Sequence, residues 1–329
     1  MDDQSYIRRT FELAQQGRGL VSPGAMVGAV IVKNGKVLGE GVYTYDGLKH
    51  AEALALEQAG SAARGATVYT NLEPCSHHGR TSPCAEALIH AGVAKVVTAM
   101  SDPNPLVNGA GIRMLRGAGI PVEAGILEQE ALSLNEAFIT YISYQRPFGI
   151  LKIAMTLDGK IATAAGESKW ITSDESRERV HQLRHQVDAL ITGSGTVLAD
   201  RPRLTDRSGL PRRRTLLPVV LDRRGRVSDF PGVMLFRGNL EELTKKLWSL
   251  QIQSFLLECG PDLAFNALNH GIIDKIIVFV APKILGGREI PAIGGGGIES
   301  LAEAIPLRDW SMTPSGPDFV LTAYVHRNN

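Results

Sequence analysis

The chain is poor in cysteine: Cys75, Cys84 and Cys259 are its only three in 329 residues. An odd count is a weak basis for a disulfide framework, which excludes the small secreted scaffolds that depend on one. Excess charge of one sign is also missing, since 35 Lys and Arg stand against 34 Asp and Glu for a formal net charge of +1. That balance argues against a nucleic-acid backbone or an anionic membrane as the main partner and favours small ligands. No apolar run reaches the roughly 18 residues of a membrane span. The opening MDDQSYIRRTFELAQQGRGL lacks the basic-then-apolar order of a signal peptide. A cytoplasmic protein is expected. There is no internal repeat, and the one low-complexity stretch is GGGG at 294–297, read as a mobile loop.

What is present fits two domains of ordinary size, with apolar residues at 44% and charged residues at 21%. Residues 25–42 read as a hairpin, because β-branched runs flank the turn pair Asn34-Gly35. A helix over 50–60, a strand over 66–72, a helix opening on Pro83, a strand over 94–100, a helix over 111–119 and a strand over 120–126 follow. This βαβα progression predicts a sheet layered between helices. One long helix is expected over 128–145, ended by Arg146-Pro147, because the residue before proline disfavours the α region. The boundary is therefore placed at 146, giving domains 1–146 and 147–329. The second domain also reads as α/β, with strands over 149–157, 188–194, 217–222, 254–259 and 275–285 and a helix capped by Ser173 or Asp174. Its last run, 318–327, alternates as an antiparallel edge strand would.

The chemistry concentrates in two short stretches, HAE at 50–52 and EPCSHHGRTSPC at 73–84. Together they read H-x-E, P-C and C, the pattern of zinc deaminases. Zinc takes about four tetrahedral ligands, and a catalytic site reserves one position for water. His50, Cys75 and Cys84 supply three. Glu52 lies roughly 200° round a helix from His50, so it suits proton transfer better than ligation. The alternative is a structural zinc site or two unrelated buried thiols. His77 is read as a substrate contact and His78 as loop structure, while Arg80 suits a phosphate.

HAE, LEPCSHHGRTSPC and SDPNPLVNGAGIRMLRGAG closely resemble the bacterial bifunctional riboflavin-biosynthesis deaminase/reductase family. LKIAMTLDGKIATAAGESKWIT, VLADRPRLTDR and ECGPDLAFNALNHGIIDKIIVFVAPKILGG extend that resemblance in the family's order over nearly the whole chain. It implies a cytidine-deaminase-like α/β/α layered domain followed by a dihydrofolate-reductase-like α/β domain. It also implies a zinc-dependent deamination of 2,5-diamino-6-(5-phosphoribosylamino)pyrimidin-4-one and an NADPH-dependent reduction of the ribosyl group to ribityl.

Carried over by position, His50, Cys75 and Cys84 are the zinc ligands and Glu52 the proton shuttle. Ala154, Trp170, Thr196, Asp200 and the run Gly260, Pro261, Asp262, Leu263, Ala264, Phe265 and Asn266 fall at NADPH positions. Ser168, Arg184, Leu204, Arg207 and Glu258 fall at substrate positions. Arg184 and Arg207 suit a ribose phosphate, and the glycine-led helix start at Gly260 suits cofactor phosphates. Arg223, just after a strand, is read as a partner for the cofactor's 2′-phosphate, Arg212-Arg213-Arg214 as a solvated loop, and Cys259 as a small buried residue. Asp200 and Lys152 are the candidate proton sources. A homodimer through the reductase domain is implied as well.

Two positions depart from the family pattern. Gly24 stands where an asparagine is usual and Tyr43 where a histidine is usual. A related aminopyrimidine as substrate, or one degenerate domain, are the alternatives; a nucleic-acid-editing deaminase fits the near-zero charge poorly.

Overall fold

A computed structural model describes residues 2–79, 81–105, 107–228, 230–287 and 290–326. The chain separates into two compact units, one running up to Gln145 with Pro211–Arg213 added, the other taking Arg146–Leu210 and the chain from Arg214 onward.

In the first unit, β1 (Gly28–Lys33) and β2 (Lys36–Val42) form the expected hairpin. Asn34 and Gly35 both hold positive φ, 51° and 73°, as the tight turn that matches strand twist requires. Next come β3 (Thr67–Thr70), β4 (Lys95–Thr98) and β5 (Val122–Ala124), in the sheet order β2-β1-β3-β4-β5. β1 pairs antiparallel with β2 and β3, while β3, β4 and β5 run parallel. Side chains alternate across the pleat. Ala29, Ile31, Val68 and Val96 pack on one face against α2 (Ala51–Ala59), α3 (Cys84–Ala91) and α4 (Ala110–Gly117). Val30, Val32, Tyr69 and Val97 pack on the other with Tyr6, Ile7 and Phe11. Those three belong to a helix the sequence reading passed over, Asp3–Gln15, started by Asp2 accepting from the Ser5 N–H at 2.9 Å. The result is an α/β/α sandwich.

The single helix expected over 128–145 is two, Glu128–Leu134 and Glu136–Tyr144. Asn135 breaks it: its amide accepts from the Met26 N–H at 2.8 Å and donates to the Met26 carbonyl at 3.1 Å. A short polar side chain with such partners outside the helix favours a break over continued helix.

The second unit's sheet has the order β12-β13-β11-β6-β10-β7-β8-β9. Its strands are β6 (Phe148–Thr156), β7 (Ala189–Gly193), β8 (Leu217–Leu221), β9 (Met234–Phe236), β10 (Ser254–Leu257), β11 (Lys275–Ala281), β12 (Leu307–Ser315) and β13 (Asp318–Val325). From β11 to β9 the strands run parallel, and β13 and β12 add antiparallel. The final run is antiparallel as expected but lies inside the sheet. β12 takes the edge, and it escapes the pattern reading because nearly all its residues are exposed, so it shows no apolar alternation. The parallel centre of the sheet aligns Gly193 with Leu221. The segments leaving β7, β8 and β10 thus start from the carboxyl end of one sheet, where open α/β folds form their binding crevices.

Candidate functional site

The metal group of the first unit forms where helix starts meet strand ends. A Cβ at Gly41 would lie 1.9 Å from the Ala51 carbonyl, so only glycine lets α2 begin this close to β2. His50 is the N-cap of α2, Cys84 opens α3, and Cys75 lies on the segment after β3. The Cys84 N–H donates to Cys75 Sγ at 3.3 Å, and His50 Nδ1 lies 3.4 Å from Cys75 Sγ and 3.3 Å from Cys84 Sγ. All three ligating atoms fall within 4.8 Å of one another. Tetrahedral zinc at ordinary bond lengths separates a sulfur from a nitrogen ligand by about 3.5 Å. The donor set therefore fits that ion.

Cys75 is held down to about 4, first by the hydrogen bond from the Cys84 thiol and, against burial, by His50. The same pairing, burial and the Glu52 carboxylate push Cys84 up. Glu52 is 3% exposed, and burial raises it to about 7, with the Cys75 charge adding and His50 opposing. A carboxyl poised near neutrality beside a ligand set is suited to accept and return a proton.

Two acidic residues absent from the sequence reading frame this site. Glu73, buried, accepts backbone N–H bonds from Asp102 at 3.0 Å, Gly109 at 2.8 Å and Ile112 at 3.1 Å, which fixes the segment that carries Cys75 to the chain after β4. Asp102 is raised to about 6, chiefly by burial. Asp102 lies in SDPNP, where an acid among turn-forming residues is the sequence signal for it. His77 is exposed, with its ring over Gly79, and His78 Nε2 sits 3.5 Å from Glu86. Arg80 lies outside the described residues.

The second unit holds a cavity of about 620 Å³ at the carboxyl ends of its parallel strands. Thr196, Asp200, Arg223, Gly260, Pro261 and Asp262 line it, as do Leu263, Asn266 and Ser168. Ala154, Trp170, Ala264 and Phe265 are not among its lining residues: Ala264 is 1% exposed in the core, and Trp170 is 64% exposed with the Arg177 guanidinium 4.5 Å above its ring. Nor are Arg184, Leu204, Arg207 or Glu258. Three arginines, 223, 224 and 226, line the cavity after β8, and Arg226 donates to Ser194 Oγ at 2.8 Å. A Cβ added at Gly260, the N-cap of the helix Pro261–Asn269, would meet nothing within 4 Å. A helix start on the cavity lining, together with three lining arginines, suits the phosphates of a dinucleotide.

Arg184 faces a protein carboxylate. Its Nε lies 2.7 Å and its Nη2 3.1 Å from Glu258, and Nη1 donates to the carbonyls of Arg203 and Thr205. Lys152 reaches Glu258 at 3.4 Å. Burial works to raise Glu258, but Lys152 and Arg184 bring it down to about 2. Leu204 is buried, and the half-buried His181 is held below its ordinary value first by burial and then by the Arg184 and Arg207 charges; its Nδ1 has no hydrogen-bond partner among the described residues. Burial pushes Cys259 up to about 12. The run 212–214 is not simply solvated: Arg213 stacks 3.7 Å over Tyr45 and pairs with Asp46 at 2.9 Å, and Arg214 donates to the carbonyls of Leu250 and Gln251.

Comparison with known proteins joins the two sites. Residues 1–100 match the cytidine and deoxycytidylate deaminase zinc-binding region, and residues 147–321 match the RibD C-terminal domain. The riboflavin biosynthesis protein RibD of Aquifex aeolicus is 41% identical, with 97% of each chain covered. The chain belongs to the RibD family. Its Escherichia coli member is 40% identical over 98% of this chain and 99% of its own. The Acinetobacter baumannii RibD structure superposes with a TM-score of 0.89 at 38% identity, covering 99% of both chains. A Thermotoga maritima structure, described as a diaminohydroxyphosphoribosylaminopyrimidine deaminase/5-amino-6-(5-phosphoribosylamino)uracil reductase, gives 0.86 at 35% identity over 98% of this chain and 99% of its own. As a RibD protein the chain is a riboflavin-biosynthesis enzyme with a cytidine-deaminase-like domain and a dihydrofolate-reductase-like domain, combining zinc-dependent hydrolase and NADPH-dependent oxidoreductase activity. Among the described residues, no helix is long and apolar enough to cross a membrane.

Proposed function

We propose that this chain removes the ring amino group of 2,5-diamino-6-(5-phosphoribosylamino)pyrimidin-4-one and then reduces the ribosyl group of the product to ribityl, giving 5-amino-6-(5-phosphoribitylamino)uracil. The observation that carries this reading is the convergence of His50, Cys75 and Cys84 donor atoms within 4.8 Å beside the buried Glu52, in a chain that also holds the reductase cavity. A purely structural zinc site gives no reason for a carboxyl buried beside its ligands.

His50, Cys75 and Cys84 would hold zinc, which supplies Lewis acidity that makes water a nucleophile at neutral pH. Glu52 takes one proton from the attacking water and passes it to the ring nitrogen, then takes the second from the hydroxyl so added and passes it to the departing amine, so its carboxyl must change state during each turnover. Glu73 holds the Cys75 segment in place during that exchange. His77 would meet the substrate and Arg80 its phosphate.

In the reductase half, Gly260, Pro261, Asp262, Leu263, Asn266 and Arg223 would hold NADPH, which would supply hydride to the opened ribose carbonyl or imine. Thr196 and Asp200 lie along the same cavity wall. Ser168 donates to Asp200 at 3.4 Å, which presents a hydroxyl and a carboxylate together to a sugar. Glu258, with Lys152 and Arg184, carries the substrate-side charge, and Asp200 and Lys152 are the proton sources to be ranked. The functional halves are taken as 1–146 and 147–329, in a cytoplasmic homodimer paired through the reductase half.

The test supplies the diaminopyrimidine phosphate to purified, zinc-analysed enzyme and follows ammonia and NADPH separately. Ammonia release followed by NADPH oxidation is expected. Neither reaction, with a different aminopyrimidine deaminated, would establish a related substrate instead, the reading that Gly24 and Tyr43 favour.

A further inference from the structure

We propose that Tyr43 sets substrate recognition in the deaminase half, its ring taking the space that a side chain at position 24 would need; this rests on the deaminase reading above. Gly24 does not hold a positive φ, so its backbone is open to any residue and conformation does not demand glycine. Space does. A Cβ at 24 would lie 3.0 Å from Tyr43 Cε1, 3.4 Å from the Tyr43 hydroxyl oxygen and 3.0 Å from the Val21 carbonyl.

Neither partner is free to give way. The Gly24 N–H closes a turn onto the Val21 carbonyl at 2.8 Å. Two residues on, the Met26 N–H donates to Asn135 Oδ1, and the Met26 carbonyl accepts from the amides of both Asn71, at 2.9 Å, and Asn135. The Tyr43 N–H donates to the Val27 carbonyl at 2.9 Å, and its ring packs on the core beneath α2. That ring also meets the His50 imidazole edge to face, with centroids 5.4 Å apart and planes at 85°. Tyr43 therefore spans the distance from position 24 to a residue of the metal group.

The two family departures are then one coupled exchange. An asparagine at 24 and a ring as large as tyrosine at 43 compete for the same volume. With glycine at 24, the phenol brings a hydroxyl, both donor and acceptor, to where the longer side chain would begin. That hydroxyl is offered to the aminopyrimidine ring beside the metal group, and the same residue holds the His50 ring plane.

Steady-state ammonia release from the diaminopyrimidine phosphate by the full chain tests this. Tyr43→Phe is expected to raise KM about three- to tenfold, the effect of one neutral hydrogen bond, with kcat and zinc content retained. Gly24→Asn alone is expected to lower kcat/KM more than about tenfold, and adding Tyr43→His to restore it to within about threefold of wild type, the coupling a double-mutant cycle isolates. Retained zinc, read by metal analysis, reports that the deaminase half of each variant is folded. A wild-type KM in Tyr43→Phe, or Gly24→Asn performing equally with and without Tyr43→His, overturns the proposal. A zinc-loaded wild type that releases no ammonia overturns the deaminase reading itself, and this inference with it.

Discussion

The metal site of the first unit gathers three donor atoms within 4.8 Å, whereas the second unit spreads its binding groups around a cavity of about 620 Å³. The first depends on few atoms of strict chemical type, because zinc accepts only certain ligands at set distances. The second depends on shape: a helix start, three arginines and polar side chains spread along one lining. A ligand site of the first kind should fail abruptly when one atom changes. One of the second kind should weaken by degrees.

The largest effect tests that difference at its extreme. Cys75→Ser or Cys84→Ser is expected to remove zinc, read by metal analysis, and to reduce ammonia release to background while NADPH oxidation with the deaminated substrate persists. Next, Glu52→Ala should retain zinc yet slow ammonia release by about 10²- to 10⁴-fold, the range of a positioned general acid-base. If ammonia release continues in that variant, the role given to Glu52 is wrong.

In the second unit, Glu258→Gln leaves Lys152 and Arg184 without their shared carboxylate and should destabilise the unit by about 3 kcal/mol, measured by denaturant titration at neutral pH. The pH dependence follows in sign. Glu258 is held at about 2, below its ordinary 4.5, so its contribution is present above pH 4.5 and is lost as pH falls toward 2. The stability gap between wild type and Glu258→Gln should therefore narrow over that window; a constant gap would contradict the ion-pair account. The smallest effect belongs to the cavity rim. Arg223→Ala should raise KM for NADPH about tenfold and leave that for NADH unchanged, as expected for one charge-assisted contact to a 2′-phosphate.

The same contrast governs what could be read in advance. The metal group was legible because His50, Glu52, Cys75 and Cys84 are rare residue types at telling spacings, and the α/β alternation around them is strongly periodic. Asn135 was not, since it interrupts a helical pattern only through its bonds to Met26, more than a hundred residues earlier in the chain. β12 was missed because an exposed edge strand carries no buried face. In the reductase unit, the cavity groups come from segments far apart in sequence and from residue types, glycine and arginine, that are common on any surface. Only the family resemblance singled out Gly260 or Ser168. It could not show that the Arg184 fork is turned onto Glu258, or that Gly24 and Tyr43 share one space.

The most direct test of two separable active centres in this chain removes zinc with a chelator and records both reactions on the same enzyme. Ammonia release should fall with zinc content and return when zinc is restored, while NADPH oxidation with the deaminated substrate stays at its starting rate. Ammonia release that continues in zinc-free enzyme, or NADPH oxidation that falls in step with zinc, would contradict it.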